Sequence, residues 1–265
     1  MSTKRPVRLA LRPRIGAFAP DAVSTVVVDR ARTVGGTSAT GSLLYWSDTR
    51  FGSAFALPLH RHEGLETITI VLDGRSQHYD TGTGRWADLA AGDLQVMRAG
   101  TGLQHAERVV DAARVLQLMV DPGPALAAAT PTYADHRLEA MPTRSPEQGV
   151  DVVHVLGGEA PAWSAGGLVI RRIRLSAHAR VELDATPDRA CVALVLGGAM
   201  TLGPSGSRDS GTDAPRATST VLRDGDALDV SGAAGTRLVA RETSELLVLT
   251  VPSAPTPFIS REASS

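Results

Sequence analysis

No apolar pattern in this chain of 265 residues outlasts a β-strand. Runs such as Ile68 to Leu72 and Val192 to Leu196 stop after five residues, whereas a helix crossing a bilayer needs ~18 or more. The segments between stops are β-branched or alternating, and the stops are Gly, Asp and Pro, which is the punctuation of an all-β sandwich or barrel. In the first half this predicts strands at Thr25–Asp29, Leu43–Trp46, Thr67–Leu72, Arg75–Tyr79, Asp93–Met97, Ala106–Val110 and Val115–Met119. In the second half it predicts Val150–Leu156, Leu168–Leu175, Cys191–Leu196, Ala227–Val230, Leu238–Arg241 and Leu246–Val251.

The two halves repeat one another. Ile70-Val-Leu-Asp-Gly74 is echoed by Leu194-Val-Leu-Gly-Gly198, and Ala91-Gly-Asp-Leu94 by Asp224-Gly-Asp-Ala227, in the same order. The second copy is longer between its paired glycines, and the excess falls in the Gly/Ser/Pro-rich segment Gly203–Pro215, read as an enlarged hairpin loop. A duplicated β-barrel follows. Residues 1–122 are expected to form the first barrel and 150–265 the second plus a tail. Residues 123–149, rich in Pro and Ala, are expected to be a linker with one helical turn at Ala125–Ala129.

With 27 Lys+Arg against 28 Asp+Glu, the net charge of −1 supplies no field for nucleic acid or an acidic membrane, so neither partner is expected. The basic cluster Lys4, Arg5, Arg8, Arg12 and Arg14 has no aromatics between its charges for stacking bases and reads as a solvated arm. One cysteine, Cys191, can close no bridge within the chain and build no cysteine zinc site; a cytoplasmic, reducing home fits best. The N-terminus has positive charge but no apolar stretch behind it, so a signal peptide is not expected.

Metal-competent side chains concentrate at His60, His62 and Glu66, then at His105 and Glu107. Residues i and i+2 of a strand share a face, so His60 with His62, and His105 with Glu107, can each aim two donors at one point. A barrel pairing those strands would surround one cavity with three imidazoles and a carboxylate. That set suits a six-coordinate divalent ion of the iron or manganese kind with two open positions, and suits four-coordinate zinc less well. His78, His136, His154 and His178 have no i+2 partner and read as polar surface or capped residues. Gly41-Ser42 and Gly206-Ser207 lack a G-x-S-x-G frame, and Gly203–Gly211 lacks the Lys-Ser/Thr ending of a phosphate cradle.

At these residues the chain resembles the cupin superfamily, and more closely the pirin family of two-barrel cupins (bicupins). His60-x-His62-x-Gly64-x-Glu66-Thr67, Gln77-His-Tyr-Asp80, and Gly92-Asp-Leu-Gln-Val-Met-Arg-Ala-Gly-Thr-Gly-Leu-Gln-His-Ala-Glu107 are similar to successive pirin motifs. The resemblance implies two cupin-type barrels, with His60, His62, His105 and Glu107 as ligands of one divalent transition metal and Glu66 as a supporting acid. Fe(2+) is the first choice of ion, with Mn, Ni, Co, Cu and Zn as alternatives. It further implies a metal-dependent dioxygenase, an oxidoreductase of the quercetin 2,3-dioxygenase kind, taking a small aromatic flavonol and dioxygen, with Glu107 also the catalytic base. The alternative is a non-catalytic metal- or redox-sensing protein whose partner is a transcription factor or metabolic enzyme. Two departures stand out: Glu63 replaces the usual Arg, and Pro58-Leu-His60-Arg-His62 replaces the usual Pro-His pairs. Carried across the repeat by the spacing of the paired glycines, His60, His62 and Glu66 map to Asp184, Thr186 and Ala190, and His105 and Glu107 to Leu238 and Ala240. The second barrel is therefore expected to hold no metal.

Overall fold

A computed structural model describes residues 6–9, 13–15, 20–29, 41–183, 186, 188–203, 220–231, 233 and 235–253. Most of the basic arm and of the enlarged loop, including Gly206-Ser207, lies outside them. In chain order the strands of the first half are β1 (Val7–Arg8), β2 (Pro13–Ile15), β3 (Val23–Asp29), β4 (Leu43–Phe51), β5 (Phe55–His62), β6 (Glu66–Asp73), β7 (Arg75–Asp80), β8 (Trp86–Ala90), β9 (Leu94–Arg98), β10 (Leu103–Val109) and β11 (Ala113–Val120). A helical turn α1 (Pro124–Ala127) and β12 (Thr132–His136) follow, then β13 (Thr143–Glu147), β14 (Val150–Leu156), β15 (Val169–Leu175), β16 (Arg180–Leu183) and β17 (Arg189–Gly197). The chain closes with β18 (Ala199–Leu202), β19 (Val221–Arg223), β20 (Ala227–Asp229), β21 (Thr236–Ala240) and β22 (Ser244–Pro252). Every strand expected from periodicity overlaps one of these. β5 escapes a propensity reading because Pro58 interrupts it; β8, β16 and β19 are only five, four and three residues long.

The protein is all-β and duplicated. One seven-stranded sheet runs β12-β9-β6-β11-β4-β3-β2 and the other β1-β20-β17-β22-β15-β14-β13, while the four-stranded sheets run β5-β10-β7-β8 and β16-β21-β18-β19. The orders superimpose strand for strand. The echoed glycines explain part of this: Gly74 and Gly198 turn with φ of 75° and 76°, and a Cβ at either would meet a backbone carbonyl oxygen at 2.3 or 2.5 Å. Both turns need glycine for the left-handed conformation and for the close approach.

Residues 123–149 carry more than the expected helical turn. β12 extends the first large sheet through β9, and β13 extends the second through β14. The counterpart of β12 in the second sheet is β1, which reaches from the N-terminus to pair with β20.

The two large sheets pack face to face. Ile68, Ile70, Leu116 and Leu118 from one meet Ile170, Val192, Leu194 and Leu249 from the other in a single buried cluster. Each such side chain contributes roughly 1.5–3 kcal/mol by leaving water. An ion network spans the same junction: Arg114 binds Asp48 through both carboxylate oxygens at 2.9 and 2.6 Å, donates to the Leu196 carbonyl at 2.7 Å, and lies 3.2 Å from Asp224. The interior of the second barrel is apolar, filled by Leu183, Cys191, Val195, Met200, Leu238 and Ala240. The first barrel inverts this. Thr67, Thr69, His78, Gln95 and His105 are all buried in its half of the chain, and that polar interior is where chemistry can occur. Among the described residues no helix is long and apolar enough to cross a membrane.

Candidate metal centre

β5 and β10 pair antiparallel, with His105 directly opposite His60 and Leu103 opposite His62. Between His105 and Glu107 the register slips, because Glu107 faces Leu57. The extra residue on β5 sits beside Pro58, which has no N–H to offer the ladder. The Pro58 carbonyl is 2.9 Å from His60 Nδ1. A carbonyl can only accept, so Nδ1 carries the proton and Nε2 keeps its lone pair for an ion.

The rings of His60, His62 and His105 converge, with centroids 4.2 to 5.0 Å apart. One donor atom from each lies within 4.8 Å of the others. Glu107 does not join that group; it clusters within the same limit with His105 and His78. Its carboxylate accepts from Gln117 Nε2 at 3.1 and 3.0 Å. Glu66, the other carboxylate of the motif, is fully buried away from the rings. It accepts from Arg98 Nε at 2.8 Å, from the Ser164 hydroxyl and from the Ala165 N–H, which ties the first half to the second.

His78 is the residue that sequence reasoning passed over. It is buried, its ring lies 5.0 Å from that of His105 and stacks on Tyr133 at 4.9 Å. It sits opposite Glu107 across β7 and β10. The signal was cross-strand, and an i+2 search along one strand does not contain it.

The residues fit a divalent transition ion. Neither ring nitrogen of His105 or His78 has a hydrogen-bond partner among the described residues. Such idle buried groups cost about 1–3 kcal/mol each unless something bonds them. The rings are also in the ligating, neutral form: burial first, then neighbouring histidines, pushes His105 down to about 2 and His62 down to about 4. Burial lowers His78 to about 4 against the opposing pull of Asp80. Burial raises Glu107, a shift that Gln117 and His60 oppose.

A pH dependence follows. A buried histidine with a pKa below its ordinary 6.5 binds its proton more weakly folded than unfolded. The metal-free protein is therefore expected to hold its full stability above about pH 6.5 and to lose it on acidification toward pH 4. The slope is ~1.4 kcal/mol per pH unit for each of His78 and His105, partly offset by Glu107, whose raised pKa acts in the opposite sense. Urea unfolding of metal-free protein from pH 7 to 4.5 checks this; a midpoint flat over that range contradicts buried neutral rings.

The second barrel has no equivalent group among the described residues. Its register corrects the mapping made from the glycine spacing. Leu238, the counterpart of His105, faces Val181, and Thr236, the counterpart of Leu103, faces Leu183. Val181 and Leu183 thus stand for His60 and His62, in place of Asp184, which lies outside the described residues, and Thr186. The reason is a connection three residues longer between Leu183 and Ala190 than between His62 and Glu66. Neither residue is a donor.

At the mouth, Arg61 pairs with Glu63 at 2.9 Å, both half exposed. Arg61 offsets part of the charge change that Glu63 makes in the His60 motif.

Fold and site together define a cupin whose N-terminal barrel carries a histidine-rich pocket. Residues 41–120 match the Pirin family model, and over that segment the chain is similar to the pirin family. It is similar to a pirin-like protein of Caulobacter vibrioides, with 36% identity over 112 residues, covering 41% of this chain and 40% of that one; the match thus spans about two fifths of the relative's length. Among solved structures, the bacterial pirin YhhW of Escherichia coli in complex with nickel(II) aligns with a TM-score of 0.71 and 19% identity, covering 94% of this chain and 99% of that one. A quercetin 2,3-dioxygenase of Acinetobacter baumannii aligns with a TM-score of 0.72 and 18% identity, covering 99% and 90%. At such identities these two likenesses are of fold.

Proposed function

We propose that the N-terminal barrel is a metal-dependent dioxygenase centre for flavonols of the quercetin kind, in which His60, His62, His105 and Glu107 hold one divalent ion, Fe(2+) first among the candidates. The observation that carries the reading is the convergence of three histidines beside a half-buried carboxylate in the polar interior of the first barrel. The name of the Acinetobacter neighbour and the nickel in the Escherichia one support it. When bound, the ion would act as a Lewis acid toward the substrate's vicinal oxygens and toward dioxygen. Glu107 accepts the flavonol hydroxyl proton, a task for which burial has raised its basicity. Gln117 orients that carboxylate through both oxygens. Phe51, Phe55, Leu57, Val109 and Val115 wall the inner side of Glu107 and keep water scarce.

One observation favours the second reading, a non-catalytic metal-sensing protein that acts on another protein. The cavity beside Glu107 measures only 60 Å³, against roughly 300 Å³ or more for pockets that enclose drug-sized ligands. A flavonol would have to approach from the outer side, where His60 and His62 are partly exposed. Oxygen uptake by metal-loaded protein with a flavonol panel decides between the readings. On the enzyme reading, turnover is present in the wild type and falls about 10²-fold or more in Glu107→Gln. No uptake at full metal occupancy leaves the sensing reading.

A further inference from the structure

The triad of His60, His62 and His105 leaves His78 unexplained. This ring is 2% exposed, and its nearest carboxylate oxygen, on Asp80, is 3.8 Å away, beyond hydrogen-bond reach. It is nevertheless held firmly. Tyr133 stacks on it with 20° between the rings, and the Tyr133 hydroxyl donates to Asp135 at 2.6 Å and accepts from Gln95 at 3.3 Å. Packing on Tyr133 alone would be served by a phenylalanine, with no nitrogens to satisfy. Across the ladder from His78 stands Glu107, and donor atoms of these two and His105 lie within 4.8 Å of one another.

The geometry points to an inner seat for a divalent transition ion, formed by His78, His105 and Glu107, that alternates with an outer seat at His60 and His62. The inference rests on the metal-pocket reading above and deepens it. Moving inward, an ion keeps His105, exchanges His60 and His62 for His78, and gains Glu107. Two divalent charges this close repel strongly, so the seats fill one at a time and the stoichiometry stays at one ion per chain. The donor sets differ. Two imidazoles and one carboxylate are the set associated with non-haem iron and suit Fe(II) and Mn(II), while the imidazole-rich outer seat suits Ni(II). The pocket therefore sorts ions by position.

The test titrates metal-free full-length protein with Mn(II), read by loss of the free-ion EPR signal, and with Ni(II), read by competition with a chelator. His78→Phe preserves the stack on Tyr133 and is expected to weaken Mn(II) about tenfold or more while leaving Ni(II) within about twofold; His62→Ala does the reverse. Unchanged Mn(II) affinity in His78→Phe overturns the inner seat. So does equal loss of both ions in His62→Ala, which means a single seat. Should His78→Phe fail to fold by circular dichroism, the His62→Ala arm decides alone, since retained Mn(II) with weakened Ni(II) requires a seat without His62. Wild-type protein that binds neither ion defeats the metal pocket itself, a result distinct from a metal-binding wild type in which His78 is silent.

Discussion

His105→Ala is expected to take the metal content from close to one ion per chain to none detectable, while both barrels remain folded. His105 belongs to both donor groups found among the described residues, so its loss breaks both at once. Losing even an outer-shell partner of a metal ligand costs 10–100-fold in affinity, and losing this ligand should cost at least about that much. The fold does not depend on it. The two larger cores lie between the large sheets and inside the second barrel, and only the small clusters around Leu103 and Val109 flank the pocket. Replacing the ring leaves a cavity but also removes two buried nitrogens without partners, and these effects oppose each other. Elemental analysis of untagged protein reads the first half of the expectation. Thermal melts with and without added metal read the second: wild type should gain about 2.7 kcal/mol at a free ion concentration of 100 times Kd, and the variant nothing. A variant that still carries close to one ion per chain would falsify the pocket.

Glu66→Ala should do the opposite, destabilising the protein strongly at unchanged metal content. Four residues beyond His62, Glu66 appears in the same motif, yet its carboxylate points at the junction between the halves. The substitution strands the Arg98 guanidinium, the Ser164 hydroxyl and the Ala165 N–H together. Arg98 also donates to the Trp163 carbonyl at 2.6 Å and stacks over the Trp163 ring at 3.9 Å, so the whole turn loosens with it. Breaking a buried pair by removing one partner costs about 3–5 kcal/mol. At ~2–4 °C per kcal/mol for chains of this size, the melting temperature should fall by roughly 10 °C. Comparison with Glu107→Gln separates the two acids. Metal retained in Glu66→Gln and weakened in Glu107→Gln supports the assignment; the reverse moves the carboxylate ligand to Glu66.

Most of the longer strands, and the shared faces of His60 with His62 and of His105 with Glu107, were legible because both rest on short-range regularities. Alternation of period two places i and i+2 on one face, and a tight glycine turn needs glycine wherever it recurs, as Gly74 and Gly198 show. The role of residues 123–149 was not legible in the same way. A Pro- and Ala-rich composition describes the local chain well, including α1, but does not reveal that β12 and β13 find edges to pair with. Edge pairing depends on what the rest of the molecule leaves unpaired.

By itself the sequence determined the all-β duplicated architecture and the family motifs. Only the tertiary structure decided that His78 joins the pocket, that Glu107 is held by Gln117, that Glu66 serves the junction, and that Glu63 is balanced by Arg61. The physical reason is the same in each case. Periodicity along one strand orients side chains to a face, but which residues meet across strands is set by hydrogen-bond register and connection length. A slip of one residue at Pro58, or three extra residues before Ala190, changes every partner without leaving a mark on the local pattern.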